Sequence, residues 1–146
     1  MSWTRSVDIG LSTHLAGAGI GLTYRPDGAY TVTETGIVHK RMPPSPDRVV
    51  VLTSYVVSGE GSQSDLILGI QARCRGVPDD PHDVDDIADD LYAVLHGAAN
   101  LWAGDALLAS VWRQSHTSMG SDTAHRWETS SNFYAVTAHH SAHALD

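Results

Sequence analysis

A single cysteine in 146 residues excludes an internal disulfide, so no covalent staple holds this chain. Cys74 falls on the apolar side of an alternating segment, where cysteine acts as a small buried hydrophobe. Nothing around it in sequence would lower a thiol pKa and make it reactive. No apolar run approaches the roughly 18–20 residues of a membrane span. The N-terminus carries Arg5 but also Asp8, with no continuous apolar stretch behind them, so it does not read as a signal peptide. Folding in a reducing cytoplasm is the expectation. Cations are scarce as well: 9 Lys and Arg against 17 Asp and Glu leave a formal charge of -8. That balance argues against a protein that grips nucleic acid by its phosphates, which takes clustered basic residues.

What is present is enough for a core. The chain is 42% apolar and of a length expected to form one domain over residues 1–146, burying roughly two-thirds of its unfolded surface. A first helix is expected over about 2–17, where Trp3, Val7, Leu11 and Leu15 recur at every fourth position before Gly17, Gly19 and Gly21. The glycines of GAGIGL follow a helix rather than a strand, which excludes a dinucleotide-binding loop. A core sheet and helix are expected over about 22–138, followed by a short histidine-containing tail at 139–146.

Within the core, a strand pair is expected at Ala29–Thr33 and Gly36–His39 after an Arg25-Pro26-Asp27-Gly28 turn. Pro43, Pro44 and Pro46 impose an extended, poorly hydrogen-bonded connection. Arg48–Val57 is β-branched and almost continuously apolar, as in a central strand covered on both faces. A polar loop, Ser58–Asp65, joins it as a hairpin to Leu66–Arg75. There Leu66, Leu68, Ile70, Ala72 and Cys74 share one face, and Ile67, Gly69, Gln71, Arg73 and Arg75 the other. An amphipathic helix follows, with Val84, Ile87, Ala88, Leu91 and Leu95 as its stripe. Asp80 serves as its cap, Pro81 as its first residue and Gly97 as its left-handed terminator. Two further strands, Leu107–Arg113 and Asn132–His140, flank a long polar stretch, Ser115–Ser131, read as a functional loop.

Catalytic signals are thin. The aspartates between Asp79 and Asp90 lack the spacing of a calcium loop and read as a solvated helix face complementing the macrodipole. His139 and His143 have the separation of two zinc ligands, without the intervening glutamate or the helix that such a site uses. No Gly-x-Ser-x-Gly elbow is present. No catalytic, cofactor or metal residue is therefore assigned, and the chain reads as a non-enzyme. Arginine and tryptophan, by contrast, are the types most enriched at interface hot spots. Arg73, Arg75 and Trp127, with Asp83, Asp86 and Asp90 as opposite charges, are the candidate subunit-contact residues.

Several segments in order carry a family resemblance. They are Pro43-Pro44-Ser45-Pro46-Asp47 before the apolar strand Val49–Val57, the strand end Gln71-Ala72-Arg73-Cys74-Arg75-Gly76, and the helix Val84–Leu95. The closing run is Met119-Gly120-Ser121-Asp122, then Arg126, then Ser131-Asn132-Phe133-Tyr134. From about Leu22 to Thr137 the chain resembles the minor capsid, or tail terminator, proteins of long-tailed, siphovirus-type bacteriophages. The resemblance implies an α+β subunit with a mostly antiparallel mixed sheet and two helices on one face. It implies no catalytic residues and no cofactor. It further implies a virion protein made in the host cytoplasm that forms a ring, about six-fold, capping the tail tube. Its expected partners are itself, the tail tube protein and the head–tail connector or stopper, with DNA passing through and no membrane involved. The loops Ser58–Asp65 and Ser115–Ser131 are expected to touch tube or connector. Two alternatives stand beside this reading: another neck component, such as a connector stopper or tail completion protein, and a small metal-dependent hydrolase using His139 and His143.

Overall fold

The computed structural model describes residues 1–145. In chain order the elements are α1 (Trp3–Ala16), β1 (Leu22–Tyr24), β2 (Thr35–His39), β3 (Val49–Gly59), β4 (Asp65–Pro78), α2 (Asp83–Leu95), β5 (Ala99–Ala103), β6 (Ala106–Ser121) and β7 (Arg126–Ala138). The seven strands make one sheet in the order β1-β2-β3-β4-β7-β6-β5, curled into a half-barrel. β1–β2 and β2–β3 are parallel, and every other neighbouring pair is antiparallel. This is the α+β architecture that the resemblance implied.

Both helices feed one core. Val7, Leu11 and Leu15 of α1 and Val84, Ile87, Leu91 and Leu95 of α2 meet Leu68, Ile70, Ala72 and Cys74 of β4 and Phe133 and Ala135 of β7. Each fully buried aliphatic side chain contributes about 1.5–3 kcal/mol, so the two stripes are a major source of cohesion. Ser2 caps α1 by accepting the Arg5 amide at 3.1 Å, and the Gly17 amide closes its far end on the Thr13 carbonyl. α1 packs against both edge strands, β1 and β5. α2 lies over the middle of the sheet, on β4 and β7.

Several boundaries differ from the sequence expectation. Residues Ala29–Thr33 are not a strand: β2 pairs with Leu22–Tyr24 instead. The intervening connection folds back over β2 because the Tyr30 ring lies on Gly36, where a Cβ would come within 3.0 Å of it, and the Tyr30 hydroxyl donates to the Ile37 carbonyl. β3 is covered only over its first half. Val49–Leu52 are buried, whereas Tyr55–Gly59 are exposed, because the β3–β4 hairpin runs past the end of the core. Its connection is shorter than expected, since Ser58, Gly59 and Asp65 belong to the strands.

The largest correction concerns Ser115–Ser131. It is no long loop but the outer arms of the β6–β7 hairpin, joined by a short turn at 122–125. Its residues are polar because much of β6 beyond Gln114 faces solvent, so the alternation that marks a half-buried strand is missing. β5, enclosed by Gly97 and Gly104, was not expected at all. α2 begins at Asp83, two residues beyond Pro81, and its N-cap is His82 rather than Asp80; Asp80 instead closes the preceding turn by accepting the amides of His82 and Asp83. Gly97 takes the expected left-handed conformation, at φ 83°.

Candidate assembly surfaces

Two arginines clasp the proline-rich connection between β2 and β3. Arg75, on β4, donates to the Asp47 carbonyl at 2.9 Å and to the Pro46 carbonyl at 2.7 Å. It is only 2% exposed, which corrects the expectation of an outward Arg75 beside Arg73. Burial, with Arg126 nearby, pulls its guanidinium below the ordinary arginine value, although arginine remains charged. Arg126, at the start of β7, donates to the Pro44 carbonyl at 2.7 Å and pairs with Asp47 at 3.1 Å and Asp122 at 2.9 Å. Burial works against ionisation of Asp122, but the amide and guanidinium of Arg126 outweigh it and hold that carboxyl below its ordinary value. The connection that proline leaves short of internal hydrogen bonds is thus held through its carbonyls.

Other predicted contact residues also have roles within the subunit. Arg73 pairs with Glu128 across the β4–β7 seam at 2.7 Å, two residues along β7 from its direct register partner Ser130. Asp83 joins three elements: it accepts Arg48 at 3.0 Å and the Val77 amide at 2.9 Å, and Arg48 reaches on to Thr35. Trp127 is half-buried against the core rather than standing in a polar loop.

Asp86 and Asp90 match their expected place on an exposed helix face. With Asp89, likewise exposed, they form an outward row on α2. Among the described residues none of the three makes an ion pair. Asp85/Asp89 and Asp86/Asp90 are like-charge pairs at i,i+4, each costing about 0.2–0.5 kcal/mol on a helix. The macrodipole offsets this only within the first turn. At the other end of the helix, Tyr92 stacks on His96 at 4.4 Å and carries the Arg113 guanidinium at 4.5 Å from its ring centre. This contact holds Arg113 inside the subunit, although its Nη1 is buried without a hydrogen-bond partner among the described residues.

A basic flank lies elsewhere and was missed in the sequence because its members are far apart in the chain. Arg5 on α1 acts electrostatically on Tyr24 of β1. The Tyr24 ring meets that of His39, 5.6 Å away, and His39 is tied to α1 through Ser12 at 2.7 Å. Lys40 and Arg41 follow directly. Arg5, Lys40 and Arg41 are all exposed.

The histidine tail does not converge on a metal. His139 stacks on Trp3 at 4.2 Å, and its amide donates to the Ser64 carbonyl. Among the described residues no group of three His, Cys, Asp or Glu is placed to hold an ion. Among the described residues no helix is long and apolar enough to cross a membrane.

Comparison with known proteins resolves the class first. The fold matches a chain in the structure of the virion of a native gene transfer agent particle, with a TM-score of 0.67 at 14% identity, covering 94% of this chain and all of that one. Comparison with curated proteins by sequence gives no significant match. This fold, found there in a virion subunit, is accompanied by a family assignment: residues 14–138 match the model for bacteriophage tail terminator proteins. The chain belongs to that family, a family of structural proteins, and its place is the phage tail.

Proposed function

We propose that this chain is the tail terminator of a siphovirus-type phage or phage-like particle, a minor capsid protein assembling into a ring, about six-fold, at the neck. The ring caps the finished tail tube, stops its growth and offers the docking surface for the head–tail connector or stopper. The observation that carries this reading is the family match over residues 14–138. The structure supports it in a general way. A closed ring of identical chains needs two different complementary patches, and the subunit presents charged surfaces of opposite sign on separate elements. A net charge of -8 also suits a passage that DNA must traverse without being held by its phosphates.

The test is removal of the gene from a particle-producing strain, followed by electron microscopy. Tails of unregulated length, or finished tails unattached to filled heads, are the expected result, with rings at the joint of wild-type particles. Tails of normal length firmly joined to heads would refute the reading.

A further inference from the structure

Resting on the ring reading above, we infer which surfaces meet between neighbours: the exposed row Asp86, Asp89 and Asp90 on α2 of one subunit seats against Arg5, Lys40 and Arg41 of a second copy. The argument starts from how the cations are used. Arg25 pairs with Glu34, Arg48 with Asp83, Arg73 with Glu128, and Arg126 with Asp47 and Asp122. Arg75 is spent on the carbonyls of the proline-rich connection and Arg113 on Tyr92. Among the described residues, the cations left without such a partner are Arg5, Lys40 and Arg41.

Lys40 and Arg41 follow directly on His39, whose ring meets Tyr24, and α1, which carries Arg5, is tied to that same histidine through Ser12 at 2.7 Å. Apart from Asp65 at the start of β4, the acids left over on a regular element gather on α2, which lies over β4 and β7 at the middle of the sheet, whereas the flank sits by the β1 edge. The two patches cannot satisfy each other within one chain. Between chains they can, and because they are different surfaces the contact is head-to-tail, the kind that closes rings. Asp86, Asp89 and Asp90 stand at i, i+3 and i+4, so they form one outward cluster facing a cluster of similar charge count. The partner is therefore a second copy of this chain, and charge complementarity sets its register.

The experiment uses three variants of the full chain: Asp86→Lys with Asp90→Lys, Lys40→Glu with Arg41→Glu, and all four together. Ring formation is followed by sedimentation and negative-stain microscopy at about 50 mM and 500 mM salt, with helix content and melting temperature measured in parallel. All four positions are exposed, so the fold is expected to hold. Each two-site variant should lose ring formation by at least about tenfold in apparent association. The four-site variant should recover it, and wild-type rings should weaken at high salt. Rings that persist in both two-site variants, or a folded four-site variant that fails to recover, would overturn this interface and leave the terminator reading intact. A wild-type chain that forms no ring alone and is absent from particles would remove the terminator reading and this interface together.

Discussion

Gly10 of α1 and Gly104 of the β5–β6 turn are pressed backbone to backbone: a Cβ on Gly10 would lie 1.9 Å from the Gly104 amide nitrogen. The turn is anchored on the same helix by the Asp105 amide, which donates to Ser6 Oγ at 3.0 Å. Because α1 also packs against β1, this contact fixes the helix between the two edges of the sheet. Neither backbone can yield cheaply, so Gly10→Ala is expected to cost at least about 2 kcal/mol, toward the upper end of overpacking penalties. Gly61→Ala, with nothing within 4 Å, is the control and should change stability by less than about 1 kcal/mol. Urea denaturation of both variants checks the contrast.

Removing Arg126 should release the proline-rich connection. Arg126→Ala is expected to destabilise by about 2–3 kcal/mol, as several charge-assisted hydrogen bonds are lost together. It should also open residues 42–48 to limited proteolysis. Arg126→Lys should recover only part of the loss, because one ammonium cannot reproduce the forked geometry that reaches Pro44, Asp47 and Asp122 at once. Equal protease resistance in wild type and Arg126→Ala would count against this role.

The thiol of Cys74 is pushed up to about 12 by burial. It should therefore resist alkylation by iodoacetamide at pH 8 in the native protein and react readily once unfolded. Reaction at the rate of a free thiol without unfolding would show that the β4 core face is open.

Glu34 provides a pH handle. Its carboxyl is lowered from 4.5 to about 2, first by the Arg25 guanidinium and then by the Thr31 amide. A depressed folded-state value means that the stabilising contribution is present in full above the unfolded value near 4.5 and is lost as pH falls toward 2. Glu34→Gln should therefore lower stability by a constant amount across the neutral range, with the difference from wild type shrinking as pH falls from about 4.5 toward 2, so that the acid limb is flattened. Carboxyl titration by NMR should place the Glu34 midpoint near the low end of that range.

How much of this was legible in the sequence depends on whether a segment has a dry side. α1 and α2 were readable because Val7, Leu11 and Leu15, and Val84, Ile87, Leu91 and Leu95, repeat against one core. The β3–β4 hairpin was readable for the same reason, from the alternation through Leu68, Ile70, Ala72 and Cys74. The arms of the β6–β7 hairpin were not: β6 beyond Gln114 is mostly exposed and loses its period-2 signature, while β7 buries polar Glu128, Thr129 and Ser131 where an apolar alternation would have marked a strand. The Asp122-to-Arg126 spacing was the available hint of a tight turn. Arg75 was misplaced because alternation assigns a face but not what covers it, and the cover is a connection some 30 residues earlier in the chain. The flank of Arg5, Lys40 and Arg41 was invisible since only the tertiary fold brings its members together.

The sheet order has a temporal consequence. β7, the last strand in chain order, lies in the interior of the sheet between β4 and β6, so neither β4 nor β6 has its full set of partners until residues 126–138 have left the ribosome. Until residues 126–138 have been made, at about 5–20 residues per second, the half-barrel stays incomplete, and a chain stalled before β7 lacks the middle of its sheet. Such a fragment leaves β4 and β6 each without the strand that joins them.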